Sequence, residues 1–336
     1  MIELGILGPL VLRLNDEEVG LGPSLRVLVL ALLCARGVPV PVARLGVLLA
    51  QPGATPIAEA TVRSHVSHLR RVIGDGHSRG KGPKVLVSAR VGGTVAYAMR
   101  HEAIDTDAAR FDVEVGEGEA GLRKADYALA SVVLAGALSR WRGAPLADAD
   151  GRPYARDWAA HLQDQRRHAV VLRAAARIGA AEHATVSGEL ERMVARWPDD
   201  EIVRALHAIA LYRAGRPAKA AAACREAIRA AQSHGLDSPR LHALQRDVLN
   251  GTLPAFGLPH TPWEVNFVPL RPSTGLPLAL HNFPRRFHAL IGRLERFGCP
   301  SGRLPWLVLV SLAGGACCPG CVVRFGACWR RAWARC

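Results

Sequence analysis

Cysteine is scarce in most of this 336-residue chain: before residue 299 only Cys34 and Cys224 occur, so no disulfide framework holds the first two thirds. Aromatic residues make up only 5%, and the Ala-, Leu-, Val- and Arg-rich remainder favours helices over all-β layers. Lysine is nearly missing too. Of the 43 basic residues only Lys81, Lys84, Lys124 and Lys219 are lysines, a bias of coding composition rather than chemistry. Long apolar runs are absent: the longest in the last third, Leu304 to Ala316, falls short of the roughly 20 residues a membrane helix needs. The opening Met1-Ile2-Glu3-Leu4-Gly5 lacks the basic start and apolar core of a secretion signal. The expectation is a cytoplasmic protein with no membrane partner.

Charge is present in excess, but unevenly. The formal net charge is +14. Residues 1–100 hold 12 Lys and Arg against 6 acids, residues 101–253 hold 21 against 21, and residues 254–336 hold 10 against 2. A neutral middle between two basic ends suggests a polyanion-binding module, a protein-facing module and an unusual tail.

The pattern along the chain agrees. "IELGILGPLVLRLNDEEVGLG" alternates short apolar runs with Gly, Pro and an Asn-Asp turn signal, which predicts two or three strands. "PSLRVLVLALLCARG" predicts a helix opened by Pro23 and Ser24 and closed at Gly37. A second helix follows from about Pro41 to Leu49, and a third from about Ala58 to Ile73 after the turn "QPGATP". "KVLVSARVGGTVAYAM" reads as a hairpin about Gly92-Gly93. From Asp105 to Thr252 helix follows helix. Ala220, Cys224 and Ala227 after the turn at Gly215 match, 34 residues earlier, Val186, Leu190 and Met193, the period of a tetratricopeptide unit. An unrelated helical bundle is the alternative. The expected fold class is mostly α with minor β: an N-terminal winged helix-turn-helix (residues 1–100) followed by an all-α, tetratricopeptide-like helical domain (105–253). Residues 254–336 are expected to be a linker and a degenerate or truncated tail.

The third helix carries the chemistry. Val62, Val66, Leu69 and Ile73 fall at i, i+4, i+7 and i+11, one core-facing stripe. The remaining faces carry Thr61, Arg63, Ser64, His65, Ser67, His68, Arg70 and Arg71, with no acid after Glu59. A solvated helix ordinarily mixes acids with bases. Here the charge must be answered elsewhere, and DNA phosphates and base edges in the major groove answer it; a merely basic surface helix is the plainer alternative. The helix before it supplies a helix-turn-helix and the hairpin after it a wing. Arg79, Lys81, Lys84, Arg90 and Thr94 lie in or before that wing, where phosphate contact is natural.

"LGILGPLVLRLND", "TVRSHVSHLRRVIGDG" and "LVSARVGGTVAYAM" resemble the winged-helix DNA-binding domain of the OmpR/PhoB type. "DAARFD", "ALSRWRGAPLAD", "ALYRAGRPAKAAAACREA" and "GLDSPRLHALQRDVL" resemble the bacterial transcriptional activation domain of Streptomyces antibiotic regulatory proteins. The resemblance covers about residues 1–253. It implies that His68 stands where a base-contacting Arg often does and Arg70 at a phosphate-contacting position, with Thr61, His65 and Ser67 flanking and Arg90 in the wing. His in place of Arg weakens any bidentate guanine contact, so no operator follows. "VLLAQPGATP" lacks the Trp usual before the turn.

Other motifs carry less. "GHSRG" at Gly76 to Gly80 fits a nucleophile elbow as a pattern, but a helix precedes it where a strand is required. "GEGEAG" at Gly116 to Gly121 fits a dinucleotide fingerprint, but its glutamates would face the pyrophosphate, so a loop or frayed helix is expected. His65 and His68 lack further metal ligands nearby. In the tail, Cys318-Pro-Gly-Cys321 with Cys317, Cys328 and Cys336 leaves a zinc site open. The favoured reading is a truncated or frameshifted remnant of the nucleotide-binding module of longer family members. "GLPLALHNFPRRFHALIGRLERF" and "WLVLVSLAGGA" resemble its entry, but no G-x-x-x-x-G-K-[ST] loop follows. Residues after about 297 are then expected to pack poorly.

No cofactor, no metal and no enzymatic constellation is expected. The expected function is a sequence-specific DNA-binding transcriptional activator whose helical domain mediates homodimer contacts; the resemblance implies that it recruits RNA polymerase at promoters carrying direct repeats. By resemblance its targets are secondary-metabolite genes. The alternative is a helical-repeat interaction scaffold without specific DNA binding.

Overall fold

The computed structural model describes residues 2–74 and 84–254. The expectations for Arg79, Lys81, the Gly76–Gly80 pattern and everything from residue 255 onward, the tail cysteines included, lie outside the described residues.

The chain opens with β1 (Ile2–Gly5), β2 (Val11–Leu14) and β3 (Glu17–Val19). Asn15 and Asp16 both take positive φ, 50° and 70°, the geometry that lets a two-residue turn match the strands' twist. A short strand not anticipated from the sequence, β4 (Val40–Pro41), pairs with β6, the second strand of the wing. That wing is β5 (Leu86–Val91) and β6 (Thr94–Met99), in register from Leu86 opposite Met99 to Val91 opposite Thr94. Gly92 and Gly93 turn it with φ of 55° and 81°, values that favour glycine. Another unanticipated strand, β7 (Ile104–Thr106), runs parallel to β1 and completes a sheet of order β3-β2-β1-β7. It displaces the expected start of continuous helix at Asp105. Two- and three-residue strands have no readable period, and the partner of β7 lies about a hundred residues away.

Helix α1 (Pro23–Cys34) has Pro at its first turn, where the missing N–H costs nothing. It buries seven apolar residues, from Leu25 to Leu33. Its apolar residues are spread round its circumference because α2, α3, β6 and the helical region all pack on it. Helix α2 (Val42–Leu49) leads into α3 (Glu59–Val72). Between them Ile57 donates its N–H to the Gly46 carbonyl at 3.0 Å. A Cβ on Gly46 would lie 2.4 Å from the Ile57 carbonyl oxygen, so only glycine permits this tight approach.

The helical region comprises α4 (Asp107–Arg123), α5 (Tyr127–Ser139), α6 (Pro153–Gly179), α7 (His183–Arg196), α8 (Glu201–Arg213), α9 (Pro217–Ser233) and α10 (Pro239–Asn250). Short turns join α4 to α5 and each successive pair from α6 to α10, which pack as hairpins; a longer connection, residues 140–152, separates α5 from α6. Both triads of the repeat face inward: Val186, Leu190 and Met193 on α7, and Ala220, Cys224 and Ala227 on α9, are all buried. The Gly116–Gly121 stretch is neither loop nor frayed end. It lies within α4, where a Cβ on Gly118 would lie 2.5 Å from Leu134 of α5. The glycine serves helix–helix approach, not a pyrophosphate.

Hydrophobic packing does not change where composition changes. One core runs from Leu4 to Leu172 and includes strands, α1 to α3 and the faces of α4, α5 and α6. A second, from Val171 to Leu253, is built from helices apart from Leu253 just past α10, and α6 contributes to both. Among the described residues no helix is long and apolar enough to cross a membrane.

Candidate nucleic-acid interface

Val62, Val66 and Leu69 are 0, 0 and 1% exposed, and each such side chain contributes about 1.5–3 kcal/mol by leaving water. That stripe fixes the rotation of α3. At about 100° per residue, the opposite side of the helix is Thr61, Ser64, His68 and Arg71, all exposed. Ser67 lies exposed beside them and His65 is half-buried on the other flank.

The helix's three arginines are not equivalent. Arg63 is exposed and donates to Glu59 at 2.9 Å, one turn earlier. Arg70 is half-buried. Its Nη2 donates to Ser88 Oγ at 2.7 Å and reaches the Leu86 carbonyl at 3.4 Å, and its guanidinium lies 5.4 Å from the centre of the Tyr97 ring. Arg71 is exposed, with no side-chain partner among the described residues. In the wing, Lys84 and Arg90 are exposed. Thr94 is exposed too, but its hydroxyl donates to the Val91 carbonyl at 2.7 Å and so closes the turn. Among the described residues no cluster of three or more His, Cys, Asp or Glu side chains is arranged to hold a metal ion, His65 and His68 included.

What ties the N-terminal strands, α1 and α2 to the helical region comes largely from residues that sequence reasoning passed over or took only as family pattern. Asp107, at the start of α4, accepts the N–H of Ile6 at 2.7 Å and of Leu7 at 3.2 Å, and Arg142 Nη2 at 2.9 Å. Arg142 also donates to the Pro9 carbonyl at 2.8 Å. Asp148 accepts from the Leu10 N–H at 2.6 Å and from Arg26 at 3.2 Å. Arg152, 7% exposed, donates to the carbonyls of Leu48 and Ala50, both at 2.7 Å, at the C-terminal end of α2. A cation is well placed there, against the negative end of the helix dipole. "RGAPLAD" is therefore the clasp between the loop after β1 and the helices. Trp141, just before it, packs edge-on against Phe111, ring centres 5.5 Å apart. The mix of charged residues around Gly143 and Pro145 was the available signal, but the partners at Pro9 and Leu10 lie more than a hundred residues away.

Comparison with known proteins agrees with this architecture. Residues 106–249 match the bacterial transcriptional activator domain. The regulatory protein AfsR of Streptomyces coelicolor is 31% identical over 291 residues, 85% of this chain but 28% of that protein. The regulatory protein DnrI of Streptomyces peucetius is 28% identical over 224 residues, covering 65% of this chain and 80% of that one. The structure of Mycobacterium tuberculosis EmbR in complex with a low-affinity phosphopeptide superposes with a TM-score of 0.60 at 27% identity, over 74% of this chain and 65% of that one. A winged helix joined to a bacterial transcriptional activator domain defines a class of transcriptional regulators. This chain is similar to regulators of that class, the Streptomyces antibiotic regulatory proteins among them. It spans just over a quarter of the length of AfsR.

Proposed function

We propose that the protein is a sequence-specific DNA-binding transcriptional activator, working in the cytoplasm on promoters that carry direct repeats. The observation that carries this reading is the exposed row Thr61, Ser64, His68 and Arg71, set opposite the buried Val62, Val66 and Leu69. Such a helix, fixed by its apolar side, can enter a major groove with hydrogen-bonding groups foremost. Lys84 and Arg90 extend the cationic surface to the flanking phosphates. Residues 1–100 act as the DNA-reading part and residues 105–253 as the part that contacts a second copy and RNA polymerase. The regulators AfsR and DnrI support this role, and by family the target genes are those of secondary metabolism.

Footprinting on duplexes enriched from a random pool, with affinity measured against salt, tests the reading. Arg71→Ala weakens all duplexes and lowers the salt slope by about 0.9, one phosphate contact. His68→Ala instead changes which sequences are preferred. A protein that enriches no sequence at all refutes specific binding and leaves an interaction scaffold.

A further inference from the structure

Building on that DNA-binding reading, we propose that Arg70 is a positioning residue that locks the wing to the recognition helix, and that it does not itself contact phosphate. Ser88 and Tyr97 stand directly opposite each other in the β5–β6 ladder. Arg70 engages both: a hydrogen bond of 2.7 Å to the Ser88 hydroxyl, and a stack over the Tyr97 ring at 5.4 Å. The same nitrogen reaches the Leu86 carbonyl two residues earlier on the strand. Tyr97 is itself held from behind, 6% exposed and paired with Val40 of β4. One guanidinium thus grips both strands of the hairpin at its root.

The consequence lies two residues further out. Successive side chains alternate across a strand, so Arg90 shares the face of Ser88, and the Gly92–Gly93 turn follows it. An anchor at Ser88 therefore sets where Arg90 is carried relative to Arg71 on α3. A planar, forked cation suits this task because it can stack on a ring and donate sideways at once, whereas an ammonium cannot. Arg70 also lies on the flank of α3, away from the row formed by Thr61, Ser64, His68 and Arg71, which is where a groove contact belongs.

The test compares Arg70→Ala, Arg70→Lys and Ser88→Ala with Arg71→Ala in the full chain. One readout is hydrogen exchange of Leu86–Met99 in the DNA-free protein. The other is affinity for a duplex enriched by the wild-type protein, measured from roughly 50 to 300 mM salt. Exchange in the wing rises for Arg70→Ala, Arg70→Lys and Ser88→Ala but not for Arg71→Ala. Affinity falls roughly tenfold for Arg70→Ala, with the salt slope held, and partly for Ser88→Ala, which removes no charge. Three results overturn the proposal: a slope lowered by about 0.9 in Arg70→Ala, near-wild-type behaviour of Arg70→Lys, or unchanged wing exchange. If the wild-type protein enriches no duplex, the DNA-binding reading fails by itself, and wing exchange in the free protein still decides whether Arg70 is the tether.

Discussion

The two hydrophobic cores are built on opposite plans. The core of Val171 to Leu253 is local: α7 packs on α8, α8 on α9 and α9 on α10, each joined by a short turn. The core of Leu4 to Leu172 joins strands and helices far apart in sequence, and its polar ties span comparable distances. Asp107 holds Ile6 and Leu7, and Arg152 holds Leu48 and Ala50. The difference teaches that the change of composition near residue 100 is a change of secondary structure, not of packing. Helix α3 is braced by the same core that carries α4, α5 and much of α6.

The largest expected effects come from truncating one buried leucine in each core. Leu69→Ala and Leu190→Ala should each cost about 2–5 kcal/mol, the usual range for such cavities. Urea titration with peptide-resolved thiol labelling separates them, because Cys34 packs against the first core and Cys224 within the second. Burial pushes their thiols up to about 12 and about 11, so both stay unreactive until their core opens. Leu69→Ala should expose Cys34 at lower urea and abolish duplex binding. Leu190→Ala should expose Cys224 first. Exposure of both thiols together in both variants would erase the distinction between cores.

Asp107→Asn should cost less, about 2 kcal/mol, by weakening charge-assisted bonds from Ile6, Leu7 and Arg142. Hydrogen exchange at Ile6 and Leu7 should quicken together with the first turn of α4, while α8 to α10 stay protected. Protection of β1 that persists would show that the clasp adds nothing beyond apolar packing.

Acidification is expected to weaken the second core more than the first. Burial lowers the affinity of His183 and His207 for a proton, with Arg213 beside the former adding to the effect. In the first core, His101 shows the same shift from burial and from Arg36. A histidine whose folded pKa is depressed stabilises the fold above its unfolded value of 6.5; that contribution is lost as pH falls through and below 6.5. Thermal melts at pH 7 and pH 5.5, with Cys224 and Cys34 as reporters, should show the α7–α10 region losing more. His207→Gln should flatten that dependence. The smallest effect is expected at Arg63→Ala: its pair with Glu59 is half exposed on both sides, and such pairs contribute about 0.5 kcal/mol or less. A chemical melt within error of wild type is the expected result.

Legibility followed the range of the contact. α1, α2, α3 and the Gly92-Gly93 hairpin could be placed within a residue or two because periodicity and turn chemistry are local. Val62, Val66 and Leu69 were legible as a buried stripe for the same reason. The different fates of Arg63, Arg70 and Arg71 were not, since Arg70's partners depend on how the hairpin closes against α3. Nor were β4 and β7, too short to show alternation, or Gly118, whose value appears only once Leu134 lies against it.

Alone, the order of residues determined which segments coil or extend and which side of each is oily, because those properties arise from neighbours along the chain. Only the folded arrangement decided which cation is free and which is spent on a neighbour, and that strands and helices a hundred residues apart share one interior. Those outcomes depend on geometry between distant segments, where a bond of a few ångströms has no counterpart in sequence spacing.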